Sequence, residues 1–363
     1  MKFHLPEYHS PDFSLEKFQN SPDVKTESVL WDGIAPDFFH ATSIFPEYFK
    51  INERWMLAEE SRMDCCIKIN NGKLEVIEPR NLKKGDMVVI GRTEHGEDGI
   101  FLHEDGFEEL NTGKERFSFR TGRSRETAFS KDYDSLYELL NFDKENGNIL
   151  WVMGPACTFD ADSRKAMEIL IENGYVDGLL AGNALATHDL EAALFGTALG
   201  QNIYTQISQK NGHYNHLDLI NKVRKSGSIA NFIQTESIRN GIIYSCNRYG
   251  IPFVLTGSIR DDGPLPDVIG NTYDGQDAMR NLIRKATTII CLATQLHTIA
   301  TGNMTPCYRI NHGIIRPLFM YTIDISEFAV NKLSDRGSLT AKSIVTNVQD
   351  FLVMVSKGVL KNQ

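Results

Sequence analysis

The sequence predicts an α/β protein, a Rossmann-like parallel sheet domain preceded by a small β-rich domain. Three observations carry that prediction. Residues 149–191 read as a strand–helix–strand–helix unit. Strand-like and helix-like segments then alternate to the end of the chain. Residues 31–110, by contrast, hold short strands punctuated by glycine, without a long helical pattern between them.

The unit opens with Ile149-Leu150-Trp151-Val152-Met153, an apolar run of strand length that Gly154-Pro155-Ala156 ends. Ser163 can cap the helix that follows, whose Ala166, Met167, Leu170 and Ile171 recur on one face. Gly174 stops that helix, Val176 to Leu180 form a second strand, and Ala181-Gly182-Asn183-Ala184 opens a second helix. Both turns fall at the carboxyl ends of strands, where open parallel sheets hold ligands. Small residues leading into a helix N-terminus make either a cradle for a phosphate or dinucleotide or a plain packing turn. Neither turn matches GxGxxG.

Taken in order, residues 1–30 mix Pro, Ser, Asn and charges with scattered aromatics, an irregular N-terminal arm packed in part on the body. Residues 31–130 make the β-rich domain. Lys68 to Ile77 and Asp86 to Ile90 read as strands, with Asn70-Asn71-Gly72 and Lys84-Gly85 as turn signals. Residues 111–130 carry five arginines and lysines in a polar stretch. That stretch is either a solvated linker or a basic loop reaching a carboxylate or phosphate at the domain junction. Residues 131–363 make the Rossmann-like domain, starting with a helix over 132–142. Further strands are predicted at Asn202 to Thr205, Pro252 to Leu255, Thr288 to Leu292, Phe319 to Ile323 and Ser343 to Val345. Helices are predicted over 217–226, 229–249 in two pieces, 275–286 and 328–334. Strands spaced by helices argue for a parallel sheet covered on both faces.

A chain of 363 residues has length for one large or two ordinary domains. Its 41% hydrophobic and 23% charged residues are ordinary for a globular protein, and its net charge of −9 argues against a nucleic-acid surface or attraction to anionic membranes. No apolar stretch reaches the roughly 18–20 residues of a membrane span, and the N-terminus lacks the apolar core of a secretory signal. The six cysteines, at 65, 66, 157, 246, 291 and 307, show no CxxC spacing. Reduced thiols in a cytoplasmic protein, with no disulfide framework and no metal site, are the expectation.

Three polar clusters directly follow predicted strands, and a doubly wound sheet brings them to one rim. The first is Asn183 to Asp189, with Glu191 beyond. The second is Thr256 to Asp267, which holds Arg260, Asp261, Asp262 and Asp267 in a turn stiffened by Gly and Pro. Its carboxylates either hold a substrate ammonium group or ribose hydroxyl, or cap the next helix and pair with Arg260. The third is Ala293 to His297, followed by Gly302-Asn303-Met304. Asp324 closes the strand Tyr321-Thr322-Ile323 and either accepts from a nucleotide ribose or caps a helix. His188, His213, His216 and His297 are candidate general bases or ligand contacts. Cys157 is a candidate thiol beside a helix N-terminus. A serine-hydrolase elbow and a Walker loop are absent.

With these motifs assembled, GYVDGLLAGNALATHDLE, GSIRDDGPLPDV and LATQLHTIATGNM together resemble the archaeal-type ornithine cyclodeaminase family. Its members are also labelled as the lysine-ketoglutarate reductase/saccharopine dehydrogenase bifunctional-enzyme conserved region, and the same domain forms the C-terminal part of cyanobacterial arginine dihydrolase/ornithine cyclodeaminase proteins. The resemblance runs from about residue 35 to the end. It implies a deoxyhypusine-synthase-like Rossmann domain and a bound NAD recycled within each turnover. By motif position it implies cofactor contacts at Asn183, Ala184, Asp262, Thr294, Gln295, Leu296, His297, Asp324, Asn347 and Val348. The implied chemistry is conversion of L-ornithine, or a related basic amino acid, to L-proline, or a cyclic analogue, with loss of ammonia. Asp261, Asp262 or Asp267 would hold or deprotonate the δ-ammonium, and Arg260 or Arg62 would hold the substrate carboxylate.

Departures from the family pattern fall at GPACTFDADS (154–163), at Asn215 within GHYNHL, and in an insertion around 305–319. The expectation is thus a cytoplasmic NAD-dependent ammonia-lyase with a small amino-acid substrate, a dimer or tetramer of identical chains by resemblance. The alternatives are an NAD-dependent dehydrogenase or lyase on another amino acid or adduct, and a catalytically silent NAD-binding regulatory protein.

Overall fold

Backbone order begins with the N-terminal arm, which bridges the two halves of the chain in this computed structural model, whose described residues are 3–107, 130–261, 263–327, 329–330 and 340–361. Phe3 packs its ring on Phe142 and Phe319 in the second half, while the Tyr8 hydroxyl bonds Tyr48 and His103 in the first. The short helix α1 (Glu16–Gln19) follows, and Lys50 Nζ donates to the carbonyls of Phe18, Gln19 and Ser21 at its end.

The first half then carries β1 (Lys25–Ser28), β2 (Glu47–Ile51), β3 (Arg54–Leu57), β4 (Cys66–Asn70), β5 (Lys73–Ile77), β6 (Met87–Ile90) and β7 (Ile100–Leu102). They form antiparallel sheets of order β1-β6-β4-β5 and β3-β2-β7. Asn71 and Gly72 link β4 to β5 with φ of 51° and 73°. Two positive φ values in a two-residue loop match the right-handed twist of a hairpin.

In the second half come α2 (Ser130–Asn146), β8 (Ile149–Met153), α3 (Ala161–Glu172), β9 (Gly178–Gly182) and α4 (Asn183–Phe195). A two-stranded ribbon follows, β10 (Thr197–Ala198) with β11 (Gln201–Asn202), then α5 (His213–Ser226), α6 (Ile229–Thr235), α7 (Ile242–Tyr249) and β12 (Phe253–Thr256). The remainder is α8 (Thr272–Ile283), β13 (Thr288–Leu292), α9 (Gln295–Asn303), the hairpin β14 (Tyr308–Asn311) and β15 (Ile314–Pro317), β16 (Phe319–Asp324), β17 (Lys342–Val345) and α10 (Val348–Lys361).

Six of these strands pair in parallel in the order β12-β9-β8-β13-β16-β17. Numbered by their own succession that is 3-2-1-4-5-6, the doubly wound order of dinucleotide-binding sheets. Side chains alternate across it. Trp151, Met153, Ile290 and Leu292 join α2, α3 and α10 in one core, while Leu150, Val152, Ile289 and Cys291 join α8 in the other.

Three local expectations need correction. Asn202 to Thr205 does not form a sheet strand, because the Asn202 side chain accepts from the amides of Tyr204 and Thr205 and turns the chain. Ser163 does not cap α3; Asp160 does, accepting from the Ser163 amide at 2.8 Å, while the Ser163 hydroxyl donates to Cys157 and Asp160 carbonyls. The second strand covers 178–182, two residues later than expected, since the Asp177 carboxylate is taken by the Ile149 amide at 2.7 Å. The expected helix at 328–334 and the basic stretch at 111–130 lie almost wholly outside the described residues.

The insertion at 305–319 forms the β14–β15 hairpin. It precedes β16 and so sits at the amino end of the sheet, opposite the ligand rim. There Arg316 pairs with the fully buried Asp143, which also accepts from the hydroxyls of Thr287 and Thr288, both at 2.7 Å. The hairpin reaches the first half through Cys307 N on Ile44 O (2.8 Å) and the Tyr308 hydroxyl on Ala58 O.

A second cross-link between the halves centres on Glu78. Its Oε1 receives Arg62 at 2.9 Å and Arg280 of α8 at 2.7 Å, and Arg284 meets Glu60 at 2.9 Å. Burial opposes the charge on Glu78, yet the two guanidiniums hold its carboxyl below the usual range. Glu78→Gln leaves two buried arginines short of a counter-charge. The expected loss is about 2–3 kcal/mol in urea denaturation, below the range for fully buried pairs because Glu78 keeps some exposure. Because its folded pKa is depressed, the Glu78 contribution is complete above pH 4.5 and disappears as pH falls through the lowered value. The wild-type and variant stability curves should therefore converge in acid; a constant gap would show that charge is not the cause.

Candidate active site

At the carboxyl edge of the sheet the chain leaves β8 and β13 in opposite directions, which opens a crevice between neighbouring strands. The two departures touch. Gly154 N donates to Leu292 O at 2.8 Å, and a Cβ added at Gly154 would lie 2.0 Å from Ala293 O. Only glycine fits this approach. Ala293 takes a φ of +48°, which turns the chain sharply into α9.

Two helices begin at this edge without a side-chain cap. Gly182 stands at the N-cap of α4 and Thr294 at that of α9, and neither side chain bonds an amide of the first turn. The free amides and the dipole of each helix end suit an anion. By contrast α3, the helix after β8, is already capped by Asp160 and is separated from its strand by the turn Pro155–Thr158.

His297, in the first turn of α9, lies between these helix ends. Its Nε2 is 2.7 Å from the Thr256 hydroxyl and its Nδ1 is 3.4 Å from that of Thr294. A Cβ on Gly182 would be 3.3 Å from its Cε1, so α4 abuts the ring. Burial pushes the His297 pKa down, opposed by the Ala181 backbone and by the charge of Asp261. The loop 256–267 is tied in from the other side, with Leu265 N donating to Asn183 Oδ1 at 3.0 Å.

Among the expected substrate-binding residues, Asp261 accepts from Ser258 N at 2.8 Å with Oδ2, and Arg260 is exposed beside it. Asp267 accepts from Ile229 N at 2.6 Å, at the start of α6. Asp262 lies outside the described residues. Arg62 is buried in the first half, bonded to Glu78 and to the Val76 and Glu60 carbonyls. Of the expected cofactor residues, Asn183, Ala184, Thr294, Gln295, Leu296 and His297 gather at the two helix starts. Asp324 ends β16, where its Oδ1 accepts from Ser326 N at 2.8 Å. Asn347 caps α10 through the amides of Gln349 and Asp350, and Val348 is buried behind it. Cys157 is fully buried, and burial pushes its thiol well up, so it is no reactive thiolate.

The sequence reading named His188, Glu191 and Asn215 but not the network that joins them. Glu191 of α4 is fully buried and accepts from four donors: His188 Nδ1 (3.0 Å), the Thr197 hydroxyl (2.8 Å) and the amides of Leu199 and Gly200 (both 3.1 Å). Asn215 extends this network, donating to Thr197 Oγ1 at 2.8 Å. The available signal was the i, i+3 spacing of His188 and Glu191 on one helix.

Comparison with known proteins agrees with this fold. Residues 136–355 match the family model described as arginine dihydrolase ArgZ-like, C-terminal, Rossmann fold. A Methanococcus maripaludis protein named ornithine cyclodeaminase is 34% identical over 362 residues, covering 95% of this chain and 83% of its own. The crystal structure of a conserved LOR/SDH protein from Methanococcus maripaludis S2 superposes with a TM-score of 0.84 at 34% identity, over 94% of this chain and 99% of that one. The ternary complex of AgrE with ornithine and NAD+ gives a TM-score of 0.59 at 33% identity, over 95% of this chain but 47% of that larger protein. The chain therefore belongs to the ArgZ-like C-terminal Rossmann-fold family.

Proposed function

We propose that the protein is an NAD-dependent ornithine cyclodeaminase, converting L-ornithine or a related basic amino acid to L-proline or its cyclic analogue with release of ammonia. The observation that carries this reading is the pair of uncapped helix N-termini facing one crevice at the point where strand order reverses. That donor set fits a dinucleotide pyrophosphate. Exposed Ile259 and Ile325, on rim loops, and Leu296, in the first turn of α9, fit its flat rings. The complex of AgrE with ornithine and NAD+ supports the same pairing of ligands.

Bound NAD supplies two-electron chemistry that oxidises the substrate and then reduces the ring, with no net change in the cofactor. Amides of the first turns of α4 (Asn183, Ala184) and α9 (Gln295, Leu296), with Thr294, hold the phosphates. Asp324, whose Oδ1 is engaged with Ser326, would be the acceptor for a ribose hydroxyl. Asn347 and Val348 border the far nucleoside. His297 stays neutral and orders Thr256. Asp261, close enough to His297 to act on its charge, offers the carboxylate for a substrate ammonium. Arg260, exposed and unpaired among the described residues, takes the substrate carboxylate, a role Arg62 is too deeply engaged with Glu78 to fill.

The purified protein, incubated with L-ornithine and NAD, is expected to yield proline and ammonia in equal amounts while the reduced-nicotinamide band stays flat. Growth of that band would move the assignment to a net dehydrogenase, and no product from any diamino acid would leave an NAD-binding protein without turnover.

His297 gives a second expectation. Its pKa lies below the ordinary 6.5, so the imidazole is neutral from there upward and charges only as pH falls through the lowered value. NAD affinity should be level above pH 6.5 and drop on the acid side, where both ring nitrogens become donors and Nε2 can no longer accept from the Thr256 hydroxyl. His297→Gln should weaken NAD binding roughly tenfold, the worth of one hydrogen bond of about 1.4 kcal/mol, and flatten the acid drop. An unaltered acid limb in calorimetric titrations of the variant would exclude His297 from the cofactor site.

A further inference from the structure

The helix α4 is buried along most of its length, and its polar side chains are nearly all spoken for. Asn183 bonds Leu265 and Thr187, Asp189 bonds Arg164 and Ile243, and Glu191 gathers its four donors. His188 differs. Glu191 takes Nδ1, while no described residue bonds Nε2, and the side chain keeps 9% exposure. Beside it, at 6.1 Å between ring centroids, stands His216 of α5, whose buried Nδ1 has no partner among the described residues. Phe159, from the loop that leaves β8, closes a third side at 5.7 Å. Buried polar atoms in folded proteins are almost always bonded. An orphaned imidazole nitrogen next to an unbonded one marks room for a polar ligand group.

The position relative to the crevice is fixed by the helix. His188 is five residues beyond Asn183, about 7.5 Å along the axis, and Gly182 abuts His297. The loop 256–267 spans both ends, since Leu265 binds Asn183 and a Cβ on Gly263 would lie 3.6 Å from Ile220 of α5. A ligand whose reacting carbon lies at the crevice and whose second amine is several bonds away reaches both.

We propose that His188 is the base that takes the proton from the distal ammonium of a diamino-acid substrate, with Glu191 as its positioning residue. This rests on the cyclodeaminase reading and names the group that reading leaves open. Glu191, on its own helix, and His216, on α5, are the titratable groups facing His188; Asp189, next in the chain, is turned to α7 and neutralised by Arg164. The carboxylate fixes the Nδ1–H tautomer, so Nε2 presents its lone pair. The ammonium N–H bond breaks and its electron pair stays on nitrogen as the lone pair that attacks Cα. The proton held on Nε2 leaves with the expelled ammonia as ammonium, and the imidazole ends neutral.

His188→Asn is the decisive variant, because the Asn amide can still donate to Glu191 from the Nδ1 position and keep the 197–200 turn in place. The expected result is unchanged NAD affinity, with kcat on L-ornithine down about 10²–10⁴-fold. The acid limb of kcat/KM should vanish, and the residual rate should climb with pH toward the alkylammonium pKa of about 10.4. Glu191→Gln, which keeps the hydrogen-bonding shape without the charge, should move the wild-type acid limb down by about one pH unit or more. A purely structural role would move neither profile. Calorimetric titration of L-ornithine into the NADH complex, which cannot accept hydride, reads the group without turnover: in acid, where the ring is part protonated, binding should release a proton to the buffer in the wild type and not in His188→Asn, as buffers of differing ionisation enthalpy report. Wild-type rate and pH profile in His188→Asn overturn the assignment while leaving the cyclodeaminase reading intact. Proton-linked binding without turnover overturns that reading alone, and ornithine binding with no His188-dependent proton release overturns the assignment whether or not turnover is seen.

Discussion

Where the chain leaves β8 and β13, the backbones of Gly154 and Ala293 meet so closely that no side chain fits between them. Gly154 N then bonds back to Leu292 O, and Ala293 N bonds on to Ile323 O, which locks three adjacent strand ends together. Every group at the rim hangs from this contact. It sets where α9 begins, hence where His297 stands, and His297 in turn meets Thr256 and the start of α4. It also explains why no GxGxxG follows the first strand. In many dinucleotide-binding sheets the first helix supplies the anion site. Here that helix is capped by its own Asp160, and the uncapped ends belong to α4 and α9.

Burying a helix as polar as α4 is costly unless each group is bonded. Asp189 is paired with Arg164, and Glu191 is surrounded by donors, so the two carboxylates act as tie points for α3, α7 and the ribbon behind them. Such over-determined packing holds the start of α4 rigid, and rigidity at a reacting edge is what positioning of a substrate requires. The same logic makes the open Nε2 of His188 and Nδ1 of His216 conspicuous among the described residues: in a helix environment this well satisfied, open valences lie where a ligand would complete them.

Much of this was legible in the sequence. The strand at 149–153 is an uninterrupted apolar run, and those at 288–292 and 319–323 are nearly so, because both sheet faces are covered, and the three polar loops after strands do meet at the carboxyl edge. What escaped depended on partners far away in sequence or on local competition. Arg62 reads as a free cation until Glu78 and Arg280 close on it. Asn202 to Thr205 has the composition of a strand, but one amide side chain turns it. Asp160 and Ser163 are both good caps, and only the extended backbone at Asp160 decides between them. Asn215, which looks like a lost imidazole, is a hydrogen-bond donor to Thr197.

The distribution of ion pairs separates stability from chemistry. Glu78 with its arginines joins the two halves, and Asp143 with Arg316 sits at the amino end of the sheet, the edge opposite the crevice. The β14–β15 hairpin belongs to that end too, so the insertion adds contact between the halves rather than lining the ligand rim. On the proposed function, substrate preference would be set instead around the crevice, by the loop 154–160, the first turn of α4 and the loop 256–267. Of the places where this sequence departs from its family pattern, the first loop and Asn215 touch the His188–Glu191 cluster, and the hairpin does not. A change in the accepted amine should therefore trace to Phe159 and Asn215, while a change in the hairpin should be felt as stability.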